Sequence, residues 1–94
     1  MFTFENLEQL DVKTMQKIMR EVDAGKLAVA LSAATDTLKD AMLGALSKRA
    51  AENVLDEIDN LGKVSLREIE VSQNSIVDVV RQLESEGEIS LEGD

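Results

Sequence analysis

The sequence predicts an all-α fold: a compact bundle of about five to six helices that ends in a long C-terminal helix. Apolar residues recur at spacings of three and four along most of the chain, the period of a helix with one buried side. Capping residues and glycines divide that pattern into short segments, and no Pro interrupts any of them. Aromatic residues are only 2% of the 94 residues, Phe2 and Phe4, so the core has to be built from Leu, Ile, Val, Met and Ala. Those side chains suit packed helices.

Each element follows from its own signals. After the opening "FENLEQL", Asp11 is placed to cap a first helix whose Val12, Met15, Ile18, Met19 and Val22 fall on one side of the wheel. Asp23 caps a second, "AGKLAVAL", whose apolar run alone also fits a buried strand but whose Ala content favours helix. Thr35 or Asp36 starts a third through "TLKDAMLGAL", and Gly44 weakens or ends it. Ser47 caps the fourth, and Gly62 stands where a glycine just past a helix end is expected. The last helix has the clearest start: Ser65 followed three residues later by Glu68 is a capping box. Leu66, Ile69, Ile76, Val80 and Leu83 form its apolar face, with Val77 and Val79 at the margins, until Gly87 ends it. The remaining "EISLEGD" reads as a short extended tail. Met15, Met19 and Met42 read as core residues.

Composition bounds function. A chain of 94 residues has room for one core. With 44% hydrophobic and 31% charged residues its balance is that of a folded protein. It has neither Cys nor His, so the commonest zinc ligands, thiol chemistry and the neutral-pH proton shuttle are absent. A formal charge of −9 repels a phosphate backbone, which argues against nucleic acid as a partner. No apolar run reaches the roughly 20 residues of a membrane span, and the N-terminus lacks a signal-peptide pattern. These features suggest a cytoplasmic chain with no direct membrane insertion. Carboxylates are plentiful, but catalysis needs them to converge in a cleft. In "DEIDNLG" Ile58 occupies the place of an EF-hand ligand. The expectation is no enzyme activity, no metal and no cofactor.

The segment "SKRAAENVLDEIDNLG" holds the candidate site. At about 100° per residue, Ala51, Val54, Leu55, Ile58 and Leu61 form an apolar arc, while Arg49, Asn53, Asp56 and Asn60 fall opposite in a narrow stripe. Glu52, Glu57 and Asp59 flank the stripe. Taken alone, such a ridge is an ordinary solvated helix face, and exposed charge pairs add little stability.

Four stretches carry a more specific signal: "MFTFENL", "SKRAAENVLDEI", "LGKVSLREIE" and "VRQLESEGEI". In this order, from Met1 to about Ile89, they resemble the C-terminal domain of the bacterial flagellar motor switch protein FliG. The resemblance implies a torque-generating rotor domain at the flagellar basal body, on the cytoplasmic side of the inner membrane. It implies contact with the cytoplasmic loop of the stator subunit MotA, with neighbouring FliG subunits and with other switch-complex proteins. By the same resemblance Arg49, Asp56 and Glu57 form the stator-contact ridge. Met1, Phe2, Thr3 and Phe4 match a hinge motif that lets the domain reorient on switching. It also implies a division into a hinge-like segment with a short helix, residues 1–10, and a helical torque-type domain, residues 11–94. Together these form one structural domain, the C-terminal fragment of a longer protein.

The chain departs from the family pattern at Ser32 and Ser65, where the family usually carries a basic residue. It also has Gly62-Lys63-Val64 in place of Gly-Pro-Val. Lys63 and Arg67 flank the second vacant position and are candidates to supply its charge. The two departures leave a second possibility open, a FliG-like helical adaptor or scaffold module that binds a partner other than a stator.

Overall fold

The computed structural model describes residues 2–91, so the Met1 of the hinge motif lies outside the described residues. A 3-10 helix, Phe4–Gln9, is followed by α1 (Val12–Met19), α2 (Ala24–Leu31), α3 (Asp36–Gly44), α4 (Lys48–Asp59) and α5 (Leu66–Ser85). Among the described residues there is no strand. The order and number of helices match the sequence expectation, with the opening segment wound as a 3-10 helix.

Local chemistry sets the boundaries. The N-cap residues Asp11, Asp23, Thr35, Ser47 and Ser65 each accept a hydrogen bond from the backbone N–H three residues on, satisfying one of the four amides a helix start leaves unpaired. Thr35, not Asp36, is therefore the cap of α3. Hydrogen bonding from Thr14, through its side chain and then its backbone N–H, holds the Asp11 carboxyl below its ordinary value of 3.8. At Ser65 the capping box is reciprocal: the Glu68 N–H donates to Ser65 Oγ at 3.0 Å, and the Ser65 N–H donates to Glu68 Oε1 at 3.2 Å. At the far end of α5, Gly87 has φ +78°. Its N–H donates to the Glu84 carbonyl at 3.0 Å and the Glu88 N–H to the Leu83 carbonyl at 2.9 Å, the two bonds of a Schellman motif. Gly62 also has positive φ, +67°, but Asn60 is the C-cap of α4, so the glycine stands one residue later than a C′ position.

The core is organised around α2. Leu27, Ala28, Ala30 and Leu31 are buried, covering about 160° of its circumference. So wide an arc reflects packing against both α4 and α5. The carbonyls at the end of α2 are all satisfied. The Ser32 N–H bonds to those of Ala28 and Val29, the Ala34 N–H to that of Leu31, and the Gln73 side-chain amide of α5 donates to that of Ala30 at 3.1 Å. α1 and α3 pack on each other, α1 also meets α5, and the 3-10 helix lies against α3 and α5. Phe4, Leu7, Met15, Ile18, Met19, Leu38, Met42, Val54, Ile76, Val77 and Val80 complete one continuous cluster with α2 and Ile89. The radius of gyration, 12.6 Å, is close to the roughly 12 Å of a packed chain of this length, so the opening segment is folded into the body.

Three apolar residues placed on buried faces by periodicity are exposed. Leu66 is 80% exposed because α5, at about 30 Å, is far longer than α2, at about 12 Å, and its first turn projects past the cover. Val12 is 64% exposed for a similar reason: it is on the face of Met19 but in the first turn of α1. Leu55 is 40% exposed because α4 is seated on its Val54 side, leaving the other margin of the arc uncovered. The tail also departs from expectation. Ile89 is buried, Leu91 packs against the core, and Lys17 Nζ donates to the Glu88 carbonyl at 2.9 Å, so the chain after Gly87 turns back onto α1.

Two substitutions test these elements by urea denaturation. Gly87→Ala meets no steric obstacle at the new Cβ, so its cost is purely conformational, about 1–2 kcal/mol of stability. Gln73→Leu keeps the side-chain volume but leaves the Ala30 carbonyl without its donor, and the expected loss is about 1–2 kcal/mol.

Candidate functional site

The ridge foreseen on the fourth helix is displayed by the way α4 is held. Ser47 begins the helix, its Oγ accepting from the Ala50 N–H at 3.1 Å. Val54 is the one fully buried side chain of α4, with Ile58 and, just beyond the helix end, Leu61 half-buried on the same side. Because the helix lies on α2 by that side, the opposite side has to face outward. Arg49, Glu52, Asn53, Asp56, Glu57, Asp59 and Asn60 are all exposed.

Arg49 sits in the first turn of α4 and Asp56 and Glu57 in the last. Arg49 and Asp56, seven residues apart, are about 10 Å from each other along the axis and within about 20° around it. Glu57 lies about 80° from Arg49, on the flank of the stripe. Lys63 and Arg67 are exposed too, but Lys63 is in the connection after α4 and Arg67 in the first turn of α5, so neither belongs to the α4 ridge.

The charges of α4 run against its own backbone dipole. No acidic residue occupies its first turn, where Lys48 and Arg49 stand, and no basic one its last, where Asp56, Glu57 and Asp59 stand. A helix N-terminus carries partial positive charge and its C-terminus partial negative charge, so this distribution disfavours the helix locally and adds to the macrodipole. The result is an exposed rod, positive at Ser47 and negative at Asn60. Sequence reasoning isolated the stripe but not this polarity, although it is legible once the helix ends are placed.

Ser32 and Ser65 both have work at helix ends. Ser32 Oγ donates to the Val29 carbonyl at 2.7 Å at the close of α2, and Ser65 is the N-cap of α5. In the opening motif Phe4 is buried and Phe2 half-buried, while the exposed Thr3 donates its N–H to Asn6 Oδ1 at 2.9 Å. Thr3, Phe4 and Phe2 line one wall of a groove of about 710 Å³ whose other wall is α5 around Gln73 and Val77. Among the described residues no three carboxylates converge as a metal site. What the ridge can do chemically is make reversible charged contacts along a helix.

Known proteins resemble this chain along nearly its whole length. The flagellar motor switch protein FliG of Thermotoga maritima is 43% identical over 89 residues, 95% of this chain and 27% of that protein. FliG of Vibrio cholerae is 37% identical over 99% of this chain and 27% of its own length. The chain thus spans about a quarter of the relatives it matches. A crystal structure of FliG residues 116–343 from Helicobacter pylori superposes with a TM-score of 0.92 at 36% identity, covering 96% of this chain and 40% of that one. Full-length FliG from Aquifex aeolicus gives 0.89 at 37% identity, covering 96% of this chain and 28% of the other. The model of the FliG C-terminal domain matches residues 1–91, and the chain therefore belongs to the FliG C-terminal domain family.

Proposed function

We propose that this chain is the torque-bearing rotor domain of a bacterial flagellar motor switch, working at the cytoplasmic face of the inner membrane, with α4 as its stator-contact element. The observation that carries the reading is the exposed, polarised ridge of Arg49, Asp56 and Glu57 in a chain of this family. Its charges are arranged against the stability of their own helix, which fits selection for an external contact. Among the described residues no helix is long and apolar enough to cross a membrane, so the stator has to be met from outside the bilayer.

In this reading the cytoplasmic loop of a MotA-type stator subunit presents charges opposite to those of the ridge. Exposed charges steer encounter and set orientation more than they add affinity. A contact of this kind is broken as readily as it is made, as a rotor passing successive stators requires. Screening over roughly 8 Å at physiological ionic strength confines it to close approach. The segment from Met1 to Phe4 serves as the hinge: Phe4 anchors it in the core while Thr3 remains exposed. Contacts with neighbouring FliG subunits and other switch-complex proteins complete the assembly. Lys63 and Arg67 add positive charge beyond the negative end of the ridge.

The adaptor reading is favoured by Ser32 and Ser65, uncharged and engaged in capping where the family usually carries basic residues. Rotation of tethered cells separates the two. In the full-length parent, Arg49→Asp and Asp56→Arg are each expected to leave flagella assembled but weakly turning, with partial restoration by a charge reversal in the stator loop. Unchanged rotation in both variants would assign the ridge to another partner.

A further inference from the structure

The ridge of α4 is complementary to itself when reversed. Arg49 and Asp56 stand on one line about 10 Å apart, with Asn53 between them. All three are exposed, so no part of the fold covers the stripe. When a second α4 is laid antiparallel, with a twofold axis passing beside Asn53, Arg49 of each copy faces Asp56 of the other. The two Asn53 side chains meet near the axis, where each amide can both donate and accept. A twofold arrangement repeats every contact, so two complementary residues give two ion pairs. Antiparallel packing also sets the positive end of each helix dipole beside the negative end of the other, and on α4 the side chains add to that dipole. A parallel pair would set Arg49 on Arg49 and Asp56 on Asp56.

We infer that the α4 ridge is a self-association surface on which a second copy of this chain docks antiparallel, through reciprocal Arg49–Asp56 pairs flanking Asn53. The contact is weak. Glu52 of the two copies falls on the same flank, and the −9 charge of each chain opposes approach. Exposed pairs compensate only modestly, so the dissociation constant is on the order of a millimolar. Salt acts in two directions. At about 10 mM the repulsion between whole chains reaches across roughly 30 Å, while at about 1 M the paired charges themselves are screened. Association is therefore tightest between these two limits. A docked copy covers Arg49 and Asp56, so a self-paired chain is closed to any other partner on that face.

Sedimentation equilibrium on the 94-residue chain, which holds its own core, tests this at about 0.15 M salt and protein near 1 mM. Arg49→Asp or Asp56→Arg alone is expected to raise the dissociation constant at least roughly tenfold. The double variant R49D/D56R has the net charge of the parent and a pattern that is again self-complementary, so it should associate like the parent. An equimolar mixture of the two single variants should form a mixed pair, since one chain then presents only Asp and the other only Arg. Circular dichroism of each variant checks that the fold is kept, as expected for exposed positions. A parent chain that stays monomeric to about 2 mM, or a double variant that behaves like the single ones, would overturn the inference. No stator enters the measurement, so this surface can fail while the motor reading stands, or the reverse.

Discussion

The burial of α2 between α4 and α5 is the constraint on which the rest of the structure depends. A helix of eight residues has little tendency to form alone, because nucleation is costly and few hydrogen bonds follow it. Four of the residues of α2 are buried, and its Ala28 and Ala30 let neighbouring helices come close. Burying Leu27 and Leu31 supplies roughly 1.5–3 kcal/mol each, comparable to a large part of the net stability of a small domain. Once α2 is fixed, α4 can be seated only by its Val54 side and α5 only by the side of Ile76 and Val80. The outward direction of the charged ridge follows from that seating.

Helix ends are the second organising feature. With five short connections and no disulfide, the chain depends on local hydrogen bonds to stop each helix where the next has to turn. Ser32 and Ser65 show how this bears on function. Each is a small hydroxyl residue at a helix boundary, in place of the basic residue that the resemblance to the family implies there. A lysine at position 65 would forfeit the Oγ that accepts from the Glu68 N–H; a serine forfeits a long cationic arm. This chain carries the serine at both sites, and the positive charge at the start of α4 rests on Lys48 and Arg49.

Helix α4 balances these demands differently. It is well capped by Ser47, yet its charges oppose its dipole and only one of its side chains is fully buried. It is held by tertiary contact with α2, which leaves its outer side free to be arranged for external contact. Polarity along the rod gives that side a direction: a partner of one sign is drawn to one end, and a partner with both signs aligns with the axis. The two proposed partners, a stator loop and a reversed copy of the same helix, are both of this second kind and would compete for one surface.

The sequence by itself determined the helices, their starts and the stripe of Arg49, Asn53, Asp56 and Asn60. These depend on interactions among residues three, four and seven apart, and caps such as Ser65–Glu68 are complete within one turn. Tertiary structure alone decided which parts of each apolar face are covered. Val12, Leu55 and Leu66 have the right periodicity but no neighbour above them, because coverage depends on the lengths and seating of other helices. It alone decided that the tail returns to the core, through a Lys17–Glu88 hydrogen bond spanning 71 residues, and that Gln73 caps α2 across 43. Contacts at such separations leave no local signature, since neither partner differs in type or spacing from an ordinary surface residue until the fold brings them together.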